Sequence, residues 1–282
     1  MSGDRSPAEY RAALAEQIRK LMRQKGVTRV DIRRALSCSE SKAGKLVRGD
    51  TSISPVELTA ILDLLGVSGE ARADLQHLNE EGRRKRPPTD WGKAIPDRLR
   101  KFFNTEETAR KIESYRPDLL HGLVQTERYA RAVIQTNRTL LSDDVERLVR
   151  ARLVRQERLH GPNPPEITLV VQESVLRAPV GDEEIRAEQI RHLRELCDRP
   201  NITFRVVPDG RGLTGALYFP FTILTPSGDR PTTVYLETLT DGLLVDEAGR
   251  VEHYARVFSE LIDASATPAD TLALLDSLSS QP

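Results

Sequence analysis

Residues 28–49 read TRVDIRRALSCSESKAGKLVRG, and their residue types predict two short helices joined by a tight turn. Thr28 is placed to cap the first helix, with Asp31 where a carboxylate reaches back to the cap backbone. Val30, Ile32, Ala35 and Leu36 recur at helical spacing and form its expected apolar face. Ser37 and Cys38 make the turn and Ser39 caps the second helix. Ala43, Leu46 and Val47 give that helix a buried stripe, and Gly49 ends it. Glu40, Ser41, Lys42, Gly44, Lys45 and Arg48 are then left facing outward.

Two helices in this order have the spacing of a helix-turn-helix, whose second helix lies in the major groove of DNA with its N-terminal residues at base edges. Glu40 is suited to accept from a cytosine amino group, Ser41 to pair with several edges, and Lys42 and Lys45 to donate to guanine or phosphate. Arg29, Arg33 and Arg48 suit the sugar-phosphate backbone, and the hydroxyls of Thr28 and Ser39 complete the set of DNA-binding candidates. Gly44 inside the second helix costs roughly 1 kcal/mol relative to alanine, which packing can offset.

The flanking segments carry strong start signals. Ser6-Pro7-Ala8-Glu9 and Ser54-Pro55-Val56-Glu57 are capping boxes with proline at the first helical position. The first opens a run through Tyr10, Leu14, Ile18, Leu21 and Met22. The second opens one through Val56, Leu58, Ile61, Leu62 and Leu65, stopped by Gly66, and Ser68 caps a fifth helix through Leu75 and Leu78. Residues 1–80 therefore read as an all-α domain with the two-helix unit second and third.

This arrangement resembles the XRE, or lambda-repressor-like, helix-turn-helix domain. The pattern L-T-Q-x-x-L-A-x-x-L-G-V-S-x-x-x-V-S-x-I-E-x-G is kept in spacing from Val27 to Gly49 without a gap. Arg29 stands at the usual glutamine, Ser37 at the turn glycine and Val47 at the usual glutamate. The resemblance implies sequence-specific binding to a double-stranded DNA operator.

The 282-residue chain has 42 basic and 42 acidic residues, so its net charge points to no polyanionic partner. Distribution changes that: residues 1–50 hold twelve Lys and Arg against six Asp and Glu, and Arg83-Arg84-Lys85-Arg86 adds a basic run. A positive face on one domain supplies salt-dependent attraction to phosphate. With 38% apolar residues the length allows two cored domains. No run approaches the roughly 20 apolar residues that cross a bilayer, and residues 1–4 do not begin a secretory signal, so a cytoplasmic, nucleoid-associated protein without a membrane partner is expected. Cys38 and Cys197 have no partner spacing for a disulfide or a zinc site, and no metal or cofactor is expected.

The segment EEGRRKRPPT, residues 80–89, is charged and then proline-rich, and residues 81–90 read as a linker. Beyond it, Trp91 to Ser114 looks helical, with Ile95, Leu99, Phe102, Phe103 and Ala109 as apolar positions, and Pro117 imposes a turn. Gln125–Thr136 and Asp143–His160 read as further helices. Ile167–Gln172 is a short strand, and a helix over Glu184–Arg199 packs through Ile185, Ile190, Leu193 and Leu196. Ile202, Phe204 and Val206 then share one strand face, Phe219, Phe221 and Ile223 another, and Thr232–Leu239 is a fourth strand. Helices over Val251–Asp263 and Pro268–Ser279, the latter capped by Thr267, close the chain. Residues 91–282 are thus an α+β domain with a small, mostly antiparallel sheet, expected to dimerise, regulate or bind a partner.

Tyr115-Arg-Pro-Asp-Leu-Leu-His-Gly-Leu-Val-Gln-Thr-Glu-Arg-Tyr-Ala-Arg131 resembles the Y-E-P-x-L-V-P-G-L-L-Q-T-E-x-Y-A-R stretch of a domain of unknown function carried by actinobacterial XRE-family regulators, with His121 at the usual proline. Residues 189–196 and 202–208 are similar to the same domain. Together the two resemblances cover roughly residues 10–276. They imply a regulator of the WhiJ-like kind, acting beside a small partner protein, for which a toxin–antitoxin role is an alternative; they supply no catalytic residues.

Enzymatic signals are weak. Glu173, Asp182, Glu183 and Glu184 with His121, His160, His192 and His253 fit no acid–base spacing. HExxH, GxSxG, P-loop and dinucleotide motifs are absent from the sequence, and Gly210-Arg-Gly212 reads as a turn. The combined reading is a non-enzymatic, sequence-specific transcription regulator that acts as a homodimer and senses a small cognate protein or a small-molecule effector. The alternatives are an antitoxin-like module that neutralises a small protein and autoregulates its operon, and, in another class, a small-molecule enzyme tethered to DNA. Tyr115, His121, Gln125 and Tyr129, grouped about one turn, and Arg205, beside Phe204, are the ligand- or partner-binding candidates.

Overall fold

A computed structural model of the chain describes residues 7–84, 97–161, 163–210, 219–227, 230–238 and 241–279. The chain divides into two compact units. The first holds helices α1 (Pro7–Lys25), α2 (Arg29–Ala35), α3 (Glu40–Arg48), α4 (Pro55–Leu64) and α5 (Gly69–Arg83). Its core joins Leu14 and Ile18 of α1, Ile32 of α2, Ala43 and Leu46 of α3, and Leu58, Ile61 and Leu62 of α4. Each such leucine or isoleucine contributes about 1.5–3 kcal/mol by leaving water. Helices α1 and α5 approach closely where Gly82 has no side chain: a Cβ there would lie 3.2 Å from the Arg11 nitrogen, and Arg11 Nη1 donates to the Gly82 carbonyl at 2.9 Å.

Several expectations change in this unit. The apolar face of α2 is narrower than its periodicity suggests: Ile32 is buried and Leu36 half-buried, but Val30 and Ala35 are exposed, because a two-turn helix meets its neighbours along one line. Val56, in the first turn of α4, is 80% exposed and lies outside the packed face. Gly44 is buried rather than outward-facing. Ser68 stands at the start of α5 without a side-chain cap bond. The capping box of Ser54 and Glu57 forms as expected, whereas Ser6 lies outside the described residues. Helix α5 runs on to Arg83, three residues into the expected linker, with Arg84 as its C-cap, and residues 85–90 of that linker with Trp91 and Ile95 lie outside the described residues.

The second unit is α+β. It contains α6 (Asp97–Thr108), β1 (Ala109–Arg116), α7 (Glu127–Gln135), α8 (Ser142–Gln156), β2 (Glu166–Gln172), α9 (Glu173–Arg177), α10 (Glu183–Leu196), β3 (Ile202–Val207), β4 (Phe221–Pro226), β5 (Thr233–Glu237), β6 (Gly242–Val245), α11 (Ala248–Ala264) and α12 (Pro268–Ser279). The strands form one sheet in the order β3-β2-β1-β4-β5-β6. It is mixed: β1 with β2 and β2 with β3 are parallel, while β1 with β4, β4 with β5 and β5 with β6 are antiparallel. One face, with Ile112, Leu169, Phe204 and Leu224, packs with Phe102 of α6, Leu193 of α10 and Leu275 of α12. The other, with Tyr115, Val170, Phe221 and Val234, packs with Phe258 and Leu261 of α11.

The chief correction is β1. Residues 109–114 were expected to continue a helix, yet they form the central strand, covered on both faces, with Ala109, Ile112, Ser114 and Tyr115 all buried. Ala109, Ile112 and Tyr115 are three apart, a spacing that fits a helix stripe equally well, so periodicity alone could not separate the two. The buried Ser114 hydroxyl is satisfied across the ladder by Thr222 Oγ1 at 2.9 Å. Phe219, expected in a strand, precedes β4 and is 71% exposed, and the short elements α9 and β6 were not foreseen. Among the described residues no helix is long and apolar enough to cross a membrane.

Candidate nucleic-acid interface

The two-helix unit is fixed by local chemistry at each end. Thr28 adopts an extended backbone, its hydroxyl accepts the Asp31 N–H, and Asp31 Oδ2 accepts the Thr28 N–H at 2.9 Å. Ser39 Oγ accepts the Lys42 N–H at 3.2 Å. Gly49 closes α3 in the left-handed region at φ 80, where a side chain would meet the Arg11 carbonyl at 2.9 Å. Arg19 Nη1 donates to the Val47 carbonyl at 2.8 Å, tying α1 to the same helix end. The turn between α2 and α3 carries Ser37 at φ 48, at the position the sequence pattern gives to glycine.

Burial of Ala43 and Leu46 sets the rotation of α3, so Glu40, Ser41, Lys42 and Lys45 are exposed together and Arg48 is half-buried. Arg29 and Arg33 are exposed on α2. A Cβ on Gly44 would meet Arg48 Nη1 at 3.2 Å and Arg29 Nη1 at 3.9 Å, so the two guanidinium groups lie over the same bare stretch of α3. Thr28 and Ser39 are both engaged as caps.

The charges on this face are organised in pairs. Arg29 Nη2 meets Glu40 Oε1 at 3.0 Å, Arg48 Nε meets Asp50 Oδ2 at 2.8 Å, and Lys42 Nζ meets Glu57 Oε1 at 2.6 Å. The Lys42 ammonium and the Ser54 cap together hold the Glu57 carboxyl down to about 2, and the Glu57 hydrogen bond raises Lys42. Among the described residues, the side chains of Lys45 and Arg33 have no ion-pair or hydrogen-bond partner. A groove beside α3 is lined by Ser41, Lys42, Lys45, Ser52, Ser54 and Arg83. Of these, Ser52, Ser54 and Arg83 were not among the sequence-derived candidates, nor were Glu57 and Asp50. The Ser54 to Glu57 capping box was legible, but its nearness to Lys42 required the packing of α4 on α2 and α3.

In the second unit the five candidates do not form one pocket. His121, Gln125 and Tyr129 are buried about the turn after β1, where His121 Nδ1 accepts the Leu123 N–H at 3.3 Å and Gln125 Nε2 donates to the Leu120 carbonyl at 2.6 Å. Tyr115 packs into the core on the α11 face, whereas Tyr129 packs into the opposite one; the Tyr115 hydroxyl accepts from Gln172 Nε2 at 2.8 Å. Arg205 donates to the carbonyls of Ala266 at 2.7 Å and Ile262 at 3.2 Å, a cation capping the C-terminus of α11. What sequence reasoning missed are the partners of the turn. Gln156 Nε2 donates to the carbonyls of Gly122 and Gln125, Gln189 holds the Val124 carbonyl and the Thr126 N–H, and Arg152 donates to Gln125 Oε1. Burial, and then the charges of Arg155, Arg116 and Arg152, hold His121 well below its ordinary range.

Residues 99–277 match the family described as Domain of unknown function (DUF5753). The chain belongs to this family. Residues 13–75 match the Helix-turn-helix domain, a span that takes in α2, α3 and the groove beside them except for Arg83. No curated protein and no solved structure matches the chain. With the helix-turn-helix match and the exposed face of α3, the chain is a DNA-binding regulator; the match over residues 99–277 carries no activity with it.

Proposed function

We propose that this DUF5753 protein is a sequence-specific transcription regulator that works as a homodimer, with its C-terminal unit responding to a small molecule or small protein rather than performing catalysis. The observation that carries the reading is the exposed run Glu40, Ser41, Lys42 and Lys45 on a capped α3, flanked by Arg29, Arg33 and Arg48. Base edges are read by the first group and phosphates held by the second. One such helix contacts too few base pairs to be selective, so two copies on half-sites about 34 Å apart supply the specificity.

The test is a selection of genomic fragments by the full chain followed by gel shift. Lys45→Ala is expected to weaken the selected site by about 1–3 kcal/mol while binding to random duplex changes little, whereas Arg33→Ala weakens both alike and flattens the salt dependence. Light scattering is expected to give two copies per site, and a monomer bound one-to-one would overturn the dimer.

A further inference from the structure

Strands β1, β2 and β5 run in the same direction, so their last residues Arg116, Gln172 and Glu237 lie at one end of the sheet. Strand β1 is also where the strand order reverses: the chain moves to β2 and β3 on one side and then to β4, β5 and β6 on the other. The carboxyl end of β1 carries a cluster of guanidinium groups, Arg116 from the strand itself and Arg152 and Arg155 from α8, close enough to act on one another and on His121.

These cations are unequally matched. Arg155 forks onto the buried Glu106 carboxylate, with Nε and Nη2 each 2.8 Å from an oxygen. Arg116 pairs with Asp118 at 2.9 Å and Glu237 at 3.6 Å, yet its Nε is buried without an acceptor. Arg152 donates to the neutral amide of Gln125, and no carboxylate of the described residues lies within ion-pair distance of it. Burial and the adjacent Arg155 lower Arg152 to about 10. The residue as a whole is only partly buried. A guanidinium taken from water with no carboxylate in contact is costly: Glu237 and Glu106 attract Arg152 only from beyond ion-pair distance, and it lies beside a turn braced by Gln125, Gln156 and Gln189.

We infer that Arg152 and Arg116, at the carboxyl end of β1, form the receptor for an anionic group, a carboxylate or a phosphate, on the effector of the C-terminal unit. The planar guanidinium fork suits bidentate contact with either oxyanion. His121 accepts a backbone N–H at Nδ1 and is held neutral, so it lends the site shape rather than charge. The assignment to an effector rests on the sensing role proposed above, while anion binding itself does not depend on DNA.

The test is calorimetric titration of the full chain, without DNA, with sodium phosphate and separately with sodium succinate, ionic strength being held constant with chloride. Saturable binding of at least one anion is expected, weakened at least tenfold by Arg152→Gln, which keeps a donor for Gln125, and unchanged by Lys45→Ala on the DNA-binding face. Response to phosphate alone assigns a phosphorylated effector, to succinate alone a carboxylate, and to both the shared site. Absence of saturable binding, or binding that survives Arg152→Gln, overturns the inference. Should Arg152→Gln not fold, Arg116→Lys, which keeps the charge facing Asp118 and Glu237, is expected to give the same tenfold loss. Because DNA is absent, failure here leaves the DNA-binding role standing, and loss of operator binding leaves this result standing.

Discussion

Lys42 of α3 and Glu57 of α4 are joined at 2.6 Å, so a cation of the exposed face of α3 is held by an acid of the neighbouring helix. The same carboxylate accepts the Ser54 N–H at 2.9 Å, which fixes it in place. A lysine so held is offered to DNA at the cost of parting from Glu57, and the acid sets a negative charge beside the phosphates. Glu57→Gln keeps the acceptor for Ser54 and removes that charge. Its duplex affinity is expected to rise severalfold, with the slope of log affinity against log salt steepening by about one phosphate equivalent, near 0.9. Fluorescence anisotropy across a salt series measures both, and an unchanged slope would place Lys42 outside the interface.

The same pair predicts acid behaviour of the N-terminal unit. Glu57 is held at about 2, below the ordinary carboxylate value. Its contribution is therefore complete above about pH 4.5 and is lost as pH falls toward 2. Because Lys42 is half-exposed, solvent screening keeps the contribution to about 1 kcal/mol. Denaturant titrations of wild type and Glu57→Gln are expected to converge toward pH 2 and to separate above pH 4.5.

Ser37 at φ 48 is strained and Gly49 at φ 80 is relaxed, so glycine exchanges at the two positions should have opposite signs. Ser37→Gly is expected to stabilise by about 0.5–1 kcal/mol, the relief of a left-handed L-residue less the entropy of a freer unfolded chain. Gly49→Ala adds a methyl 2.9 Å from the Arg11 carbonyl and is expected to cost more than about 1 kcal/mol. Thermal melts of the two variants decide it.

His121 makes the second unit sensitive to mild acid. Burial depresses its pKa far below 6.5, so the unfolded chain takes up a proton that the folded one refuses, and stability falls as pH drops below 6.5. His121→Asn retains an acceptor for the Leu123 N–H and has no proton to gain. Its stability between pH 7 and pH 5 is expected to be flatter than that of wild type, as read by chemical denaturation.

Gln125 is expected to be structural first. It bridges the Leu120 carbonyl and Arg152, so Gln125→Ala leaves both unsatisfied, with an expected loss of about 1–3 kcal/mol and unchanged duplex affinity. A stable variant with altered DNA binding would contradict this placement.

The sequence by itself determined what depends on neighbours along the chain. The caps Thr28, Ser39, Ser54 and Thr267, the αL stop at Gly49 and the core stripe Ile32, Ala43 and Leu46 act within one helical turn, and each stands where its residue type placed it. Tertiary structure decided what depends on residues distant in sequence. Ala109–Arg116 is a strand because β2 and β4 supply ladder partners on both sides, which outweighs an apolar spacing that a helix shares. Arg205 became a helix cap and Lys42 an ion-pair partner because α11 and α4 bring a carbonyl end and a carboxylate to them. Arg152 and Arg116 were legible only as charges; that no carboxylate of the described residues lies within ion-pair distance of Arg152 was decided by tertiary packing, in which α8 covers the turn at Gly122, where a Cβ would lie 3.4 Å from Arg152 Nε.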